Sequence, residues 1–318
     1  MVTVLGNDIE RAKSLLDRGE LVAIPTETVY GLAANALNEA AVLNIFKAKN
    51  RPQFNPLIIH LPFWQLVKQY VRYLPPAAQE LAMHFSPGPI TYLLPKKDIL
   101  PDLLTAGHPK VAVRIPAHPL TLQLLRSLNY PLAAPSANPF GYVSPTLAQH
   151  VLQGLNGKIP YVLDGGQSSI GVESTIVDFE GDAVVIRRLG GISQADIETT
   201  LGKKVQVAIA SSDHPVAPGM LNSHYATQTP LVVGHAAQLL AQFPQKNILV
   251  MGFGSMACTP GYNLSPQGST DEAARNLFAM MRQADAAGAD LIVAPKLPHT
   301  GLGPAINDRL LRAQHHQK

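Results

Sequence analysis

A single cysteine, Cys258, stands in 318 residues. That excludes an internal disulfide and any metal site built from cysteine alone. Charge is scarce as well: charged residues make up 15% of the chain and the formal net charge is +3. Residues 1–205 hold 18 Lys and Arg against 16 Asp and Glu, and the remainder holds 7 against 6. Neither part has the polybasic face of a duplex-binding protein, so any anion must be recognised by a few placed cations. No apolar run approaches the ~20 residues of a bilayer-spanning helix. Met1 to Arg11 lacks the basic-then-apolar layout of a signal peptide, and the expectation is a soluble, cytoplasmic protein without membrane partners. Three familiar catalytic signatures are missing: the G-x-x-x-x-G-K-[ST] phosphate loop, the G-x-S-x-G elbow and the H-E-x-x-H zinc motif. The eleven histidines show no pair at helical ligand spacing, His315-His316 reads as a tail, and Cys258 lacks a supporting nucleophile motif.

What is present is apolar and turn-rich. Hydrophobic residues reach 46%, with 24 Gly and 27 Pro, enough for a sizeable core with many sharp turns. At a prior of ~150 residues per domain, the length implies about two domains. Asp8 can cap a helix whose inner face is Ile9, Ala12, Leu15 and Leu16, with Gly19 beyond it. Asn38 opens a second helix with Val42, Ile45 and Phe46 inward. Strands are predicted at Leu21–Ile24, Leu57–Leu61, Ile90–Leu94, Val111–Ile115, Leu132–Ala134, Tyr161–Leu163, Thr175–Phe179 and Val184–Arg187. Several follow one another without a helix between, so residues 1–205 read as an α/β domain on one large mixed sheet rather than a purely parallel one.

Residues 206–230 have no apolar period and read as an extended linker. Residues 231–318 resume a β/α pattern. Leu231–Val233, a helix around His235–Phe243, Ile248–Phe253, a helix capped by Ser269 and Glu272, Leu291–Ala294 and a helix at Ile306–Ala313 fit a small Rossmann-like three-layer domain.

The polar residues cluster at ends of these strands. Lys49 and Arg51 follow the second helix and precede Pro52 and Asn55; they suit either a phosphate clamp or a solvated helix C-terminus. Pro25-Thr26-Glu27-Thr28-Val29-Tyr30-Gly31 follows a strand, as does Ala134-Pro135-Ser136-Ala137-Asn138. Arg114 sits in a strand otherwise suited to burial and needs a ligand or an acidic partner. Gly171-Val172-Glu173-Ser174-Thr175 and Arg188-Leu189-Gly190-Gly191 repeat the theme. Cations, hydroxyls and amides without an evident base suit nucleotidyl or phosphoryl transfer, where positioning and charge neutralisation do most of the catalysis.

Taken in order, Pro25-Thr-Glu-Thr-Val-Tyr-Gly-Leu, Lys49-x-Arg51-Pro, Val111-Ala-Val-Arg-Ile-Pro, Ala134-Pro-Ser-Ala-Asn and Gly171-Val-Glu-Ser-Thr-Ile-Val-Asp resemble the YrdC-like family. Pro218-Gly-Met, His224-Tyr225-Ala226 and the ending Gly301-Leu-Gly-Pro-Ala-Ile-Asn-Asp-Arg-Leu look like that family's two-domain form, so the resemblance covers nearly the whole chain. It implies a large mixed twisted sheet flanked by helices, followed by the smaller domain. It also implies synthesis of threonylcarbamoyl-AMP from L-threonine, bicarbonate and ATP, with release of pyrophosphate and with Mg²⁺ entering on the ATP phosphates rather than at a protein metal site. The product would pass to a tRNA threonylcarbamoyl-transferase complex, for modification of tRNAs reading codons that start with A.

Position by position, the resemblance places the catalytic tetrad on Lys49, Arg51, Ser136 and Asn138. Further ATP contacts fall on Asn55, Lys110, Ser144, Arg188 and Tyr225, the last as part of a linker lid over the nucleotide. L-Threonine contacts fall on Thr28, His60, Arg114, Ala134 and Ser174. Two positions depart from the family pattern. Lys110 replaces a threonine, setting a cation near triphosphate, and Leu221-Asn222-Ser223 replaces Lys-Tyr-Arg, removing two charges from the linker. The same family suggests two other readings. A double-stranded RNA or ribosome-maturation module is opposed by the weak charge, which makes direct tRNA binding weak or absent. A carbamoyl-transfer domain like that of hydrogenase maturation proteins is opposed by the single cysteine, which rules out that architecture's zinc finger.

Overall fold

The computed structural model describes residues 2–209 and 224–314. Pro218-Gly219-Met220, Leu221-Asn222-Ser223 and His315-His316 therefore lie outside the described residues, as does most of the expected linker. The chain forms β1 (Val4–Gly6), α1 (Ile9–Asp17), β2 (Val22–Ile24), β3 (Gly31–Asn35), α2 (Glu39–Lys49), β4 (Ile58–His60), a 3-10 turn at Trp64–Gln69 and α3 (Pro76–Phe85). It continues through β5 (Ile90–Pro95), α4 (Asp102–Thr105), β6 (Lys110–Arg114), α5 (Pro119–Ser127), β7 (Leu132–Ala133), α6 (Ala148–Leu155) and β8 (Tyr161–Leu163). Then follow β9 (Thr175–Glu180), β10 (Ala183–Arg188), α7 (Gln194–Leu201) and β11 (Gln206–Val207). These eleven strands form one sheet in the order β1-β8-β2-β3-β7-β4-β6-β5-β9-β10-β11. Five neighbouring pairs are parallel and five antiparallel, so the sheet is mixed.

Register decides which side chains share a face, because successive residues of a strand point to opposite sides. Ile59, Tyr92, Val113, Ala133 and Val177 point into the larger core, with Val42 and Ile45 of α2, Leu81 of α3 and Ile197 of α7. On the opposite face, Val22, Ile24, Ala33, Leu132 and Leu163 pack against Leu15 and Leu16 of α1 and Leu124 and Leu125 of α5. Farther along that second face, Ile58, Leu93 and Ala112 form a small apolar cluster, and Ile176 and Val185 are buried on the same side. The same parity puts His60, Arg114, Lys110, Thr91, Asp178 and Arg188 there. A row of polar side chains thus interrupts the apolar packing on half of one sheet face.

Two compact units divide the chain: Met1–Phe140, Pro145–Ser168 and Glu173–Leu221, and then Gly141–Ser144, Ser169–Val172 and Asn222–Lys318. The second unit contains β12 (Leu231–Val233), α8 (Ala236–Gln242), β13 (Ile248–Val250), α9 (Thr270–Ala286), β14 (Leu291–Ala294) and α10 (Gly303–Gln314). Its sheet runs β12-β14-β13, all parallel. Val250, Leu291 and Val293 meet Ala236, Leu239 and Phe243 on one side, while α9 and α10 pack together and α10 lies along β12. The two short stretches from earlier in the sequence are tied to α9. Arg282 donates to the carbonyls of Val143 and Ser144, Tyr142 Oη donates to Asp285 at 2.7 Å, and Arg275 Nε donates to Ser169 O at 2.9 Å.

Candidate active site

The centre of the polar row is Arg114, the last residue of β6, which is 4% exposed. Its Nη2 donates to Glu27 Oε1 at 2.6 Å, its Nη1 to Thr28 Oγ1 at 2.9 Å, and its Nε to the Gly88 carbonyl at 3.4 Å. The segment after β2 is folded to deliver those acceptors. Thr26 Oγ1 donates to the Val29 carbonyl at 2.6 Å and accepts from the Thr28 and Val29 amides, which ties residues 26–29 into a tight turn. Glu27 is buried, and its Oε2 has no hydrogen-bond partner. The acidic partner that a buried strand arginine demands is therefore Glu27, within the motif the sequence had singled out but not assigned a role.

His60 ends β4, directly opposite Arg114 in register. Its pKa is pushed down to about 3, by burial first and by the Arg114 charge second, so the ring is neutral at any working pH. Its Nδ1 is buried without a partner. Ser174, just before β9, lies three strands away from β4 on the same face. Its Oγ shares a 2.7 Å hydrogen bond with Thr91 Oγ1, and Arg188 donates to it at 3.0 Å and to the Ser174 carbonyl at 2.9 Å. Arg188 thus fixes Ser174. Gly190 permits that approach, because a Cβ there would overlap the backbone of Glu173 and Ser174. Ala134 is held by its N–H donating to Ile58 O at 2.9 Å. Thr28, His60, Arg114, Ala134 and Ser174 are all buried in this unit.

Lys49 and Arg51 do more structural work than a solvated clamp would. The α2 helix ends at Asn50 in the left-handed region, φ 55°. Lys49 Nζ then donates to the carbonyls of Ser136 at 2.6 Å and Asn138 at 2.5 Å. Burial, and secondarily the Arg51 charge, drives its pKa well below the usual lysine value. Arg51 is 7% exposed rather than on an open loop. Its Nε and Nη2 reach the carbonyls of Asn55 and Pro56, at 3.2 and 2.9 Å. The 136–138 loop is thereby strapped to the end of α2, which brings the four residues of the expected tetrad together. Asn55 is fully buried, yet neither its Oδ1 nor its Nδ2 has a hydrogen-bond partner. A buried amide with both ends unmet points to a ligand contact. Ser136 pairs with Gly31 at the start of β3.

Three of the expected ATP residues have other surroundings. Lys110 Nζ donates to Asp178 Oδ1 at 2.5 Å, and Asp178 also takes Arg187 at 2.9 Å. A carboxylate therefore answers the cation that replaces threonine. Ser144 and Tyr225 belong to the second unit. Tyr225 is 1% exposed with φ 67°, stacked on Phe278 at 5.4 Å, with the Arg309 guanidinium 5.5 Å from its ring. Among the described residues, no group of three or more His, Cys, Asp or Glu is arranged to hold a metal ion.

Residues 14–190 match the Sua5/YciO/YrdC family model, described under telomere recombination, and residues 192–314 match the model of the threonylcarbamoyl-AMP synthase C-terminal domain. The threonylcarbamoyl-AMP synthase of Pyrococcus abyssi (strain GE5 / Orsay) is 41% identical, over 96% of this chain and 93% of its own. That of Bacillus subtilis (strain 168) is 38% identical, over 96% and 92%. Among solved structures, P. abyssi Sua5 complexed with L-threonine superposes with a TM-score of 0.91 at 39% identity, covering 99% of this chain and 98% of that one. Both the motifs on the polar sheet face and the matches along the whole length lead to one assignment: the chain belongs to the threonylcarbamoyl-AMP synthase family.

Proposed function

We propose that this chain makes threonylcarbamoyl-AMP from L-threonine, bicarbonate and ATP, a nucleotidyl transfer. The observation that supports it most directly is the buried Arg114–Thr28–His60 group on a sheet face that should otherwise be apolar. Arg114 uses three of its five N–H groups on protein acceptors, leaving donors for an amino-acid carboxylate. His60, Ser174 and the backbone at Ala134 border the same face. They can meet the amino-acid hydroxyl, and neutral His60 adds no charge beside Arg114.

The chemistry then balances simply. Amine and bicarbonate give a carbamate with loss of water, a carbamate oxygen attacks the α-phosphorus of ATP, and pyrophosphate leaves. Arg51 with Asn55, and Lys49 through the 136–138 loop it straps down, orient the triphosphate. Arg188 holds Ser174, and Lys110 bears on the nucleotide only to the extent that Asp178 leaves its charge unspent. Mg²⁺ supplies charge neutralisation when bound, and the donor set fits a metal carried by phosphate: Ser136 and Asn138 offer neutral oxygens and no carboxylate. The product is a mixed anhydride suited to a tRNA-modifying transferase complex in the cytoplasm. The RNA-binding alternative has less support, since the net charge of +3 gives no basic face for a duplex.

The test is incubation with ATP, Mg²⁺, bicarbonate and L-threonine, with mass spectrometry for threonylcarbamoyl-AMP. Omission of any one substrate should remove the product. Arg51→Ala should lower its formation tens to hundreds-fold, and Arg51→Lys should retain the loop better while still losing rate. Undiminished turnover by a folded Arg51→Ala protein would falsify this placement of the nucleotide.

A further inference from the structure

The second unit contains a cavity of about 510 Å³ that plays no part in the site above. Its position follows from the order of its strands. From β12 the chain crosses over β14 to reach β13 through α8, then returns to β14 through α9. Right-handed crossovers place those two helices on opposite faces. The packing agrees: Leu239 of α8 meets Leu291 and Val293, and α9 packs with α10. Neighbouring strands β12 and β14 therefore lead out to opposite faces, and a crevice must open between their carboxyl ends. Such a reversal point is where open α/β sheets take ligands.

The cavity sits there. Residues following all three strands line it, among them Gly234 and His235 after β12, Met251 and Met256 after β13, and Lys296 after β14, with Asn307 of α10 behind. Most of the wall is Val, Ala, Met, Pro and Leu, and the volume lies in the range of small-molecule sites. Its polar side chains are His235, Asn307 and Lys296. The Asn307 amide is fixed by the Leu297 backbone with one bond at each end, accepting at 2.8 Å and donating at 2.9 Å. No Asp or Glu is among the described residues of the wall, and Lys296, itself solvent-exposed, has neither ion pair nor hydrogen bond among the described residues. An apolar hollow lined by one exposed ammonium that no described residue pairs selects a molecule that buries an apolar body and carries one negative group towards solvent.

We propose that this crevice is a second binding site, for a small organic anion with an apolar body whose charge is set against Lys296. The two methionines suit such an occupant, since unbranched thioether chains adapt to flat or irregular apolar surfaces.

The experiment uses the full-length chain labelled with ¹³C at its methionine methyls, with 8-anilinonaphthalene-1-sulfonate as the probe. The Met251 and Met256 signals are assigned by Met251→Leu and Met256→Leu. Saturable shifts are expected at these two methyls, a fixed signal at the exposed Met83, and no displacement by excess ATP. Lys296→Met should weaken binding at least tenfold, and so should replacing the probe by uncharged N-phenyl-1-naphthylamine. Ala257→Trp, on the cavity wall, should remove the shifts. Threonylcarbamoyl-AMP formation by Lys296→Met should equal that of the unaltered chain, which separates this site from the proposed reaction. Absence of shifts at both methyls, or equal affinity for the charged and uncharged probes, or for Lys296→Met and the unaltered chain, overturns the proposal.

Discussion

Arg114 and Glu27 form a buried ion pair, with side chains 5% and 8% exposed. Such pairs contribute little net stability but are costly to break from one side, because a lone charge stays buried. Glu27→Ala should therefore destabilise the first unit by about 3–5 kcal/mol. The double variant Glu27→Ala/Arg114→Met should cost less than the two single changes added together, read from denaturant midpoints. Additive losses would mean that the two side chains act independently. Under the proposed placement, specificity falls to the neighbours of this pair, His60, Ser174 and the backbone at Ala134. A pocket built to hydrogen-bond a hydroxyl rejects the isostere lacking it more strongly than it rejects the loss of one methyl. Serine should thus react more slowly than threonine, and valine far more slowly than serine, in rates measured at subsaturating amino acid. Equal rates for valine and threonine would place the amino acid elsewhere. At this scale much was legible, since Arg114 in an apolar strand announces a partner. That the partner is Glu27 was not, because 87 residues separate them in sequence and only the fold joins them.

Among the elements, strands with β-branched runs were read to within three residues, the largest error being the overshoot of β13 to Phe253, whereas β3 was missed. Gly31-Leu-Ala-Ala-Asn has little intrinsic preference for a strand, yet β3 lies inside the sheet between β2 and β7 with four of its five residues buried. Tertiary pairing decides its conformation. The missed β1 and β11 are the two edge strands, three and two residues long, with no buried residue to mark an apolar face. Helix starts fared better: Asp8, Asn38 and Ser269 each cap as their chemistry requires. At α9, Glu272 turns its carboxylate to Ser265 Oγ, and that hydroxyl receives the Ser269 amide, so the reciprocal box passes through a third residue. A close approach between elements gives a sharper test. Gly190, just beyond β10, leaves no room for a Cβ against the backbone of Glu173 and Ser174. Gly190→Ala should displace Ser174 from Thr91 and Arg188, raising the threonine KM at least tenfold with a smaller change in the KM for ATP. A uniform fall in kcat with both KM values unmoved would contradict that reading.

For the whole molecule, strand parity gathers polar groups that the sequence shows only as scattered motifs, and burial of bases is the consequence. The shifts in the first unit point the same way on acidification. His60 is held at about 3, below its ordinary 6.5, so the unfolded chain binds the extra proton first as pH falls between those values, and folding loses stability. Lys49 is likewise depressed by burial. Glu198 is lowered to about 2, chiefly by Lys204, and Asp17 is lowered chiefly by Lys13; both favour the folded state above the ordinary carboxylate range and stop doing so below it. In alkali the sign reverses, since burial raises Tyr30 and Tyr92 and the unfolded chain loses those protons first. Stability should therefore climb from pH 4 towards 9 and decline above 10. The chain's one tryptophan, Trp64, packs edge-on against Tyr92 at 4.7 Å in the same unit as these groups, so its fluorescence reports that unit's unfolding. Urea midpoints followed at Trp64 should fall between pH 6.5 and 4, with His60 contributing at most about 1.4 kcal/mol per pH unit. His60→Gln keeps a neutral polar group at the site and removes the titration, so its midpoints should fall less steeply over that interval. If both proteins trace the same slope, His60 is not held neutral beside Arg114, and an imidazolium would have to share the face proposed for threonine.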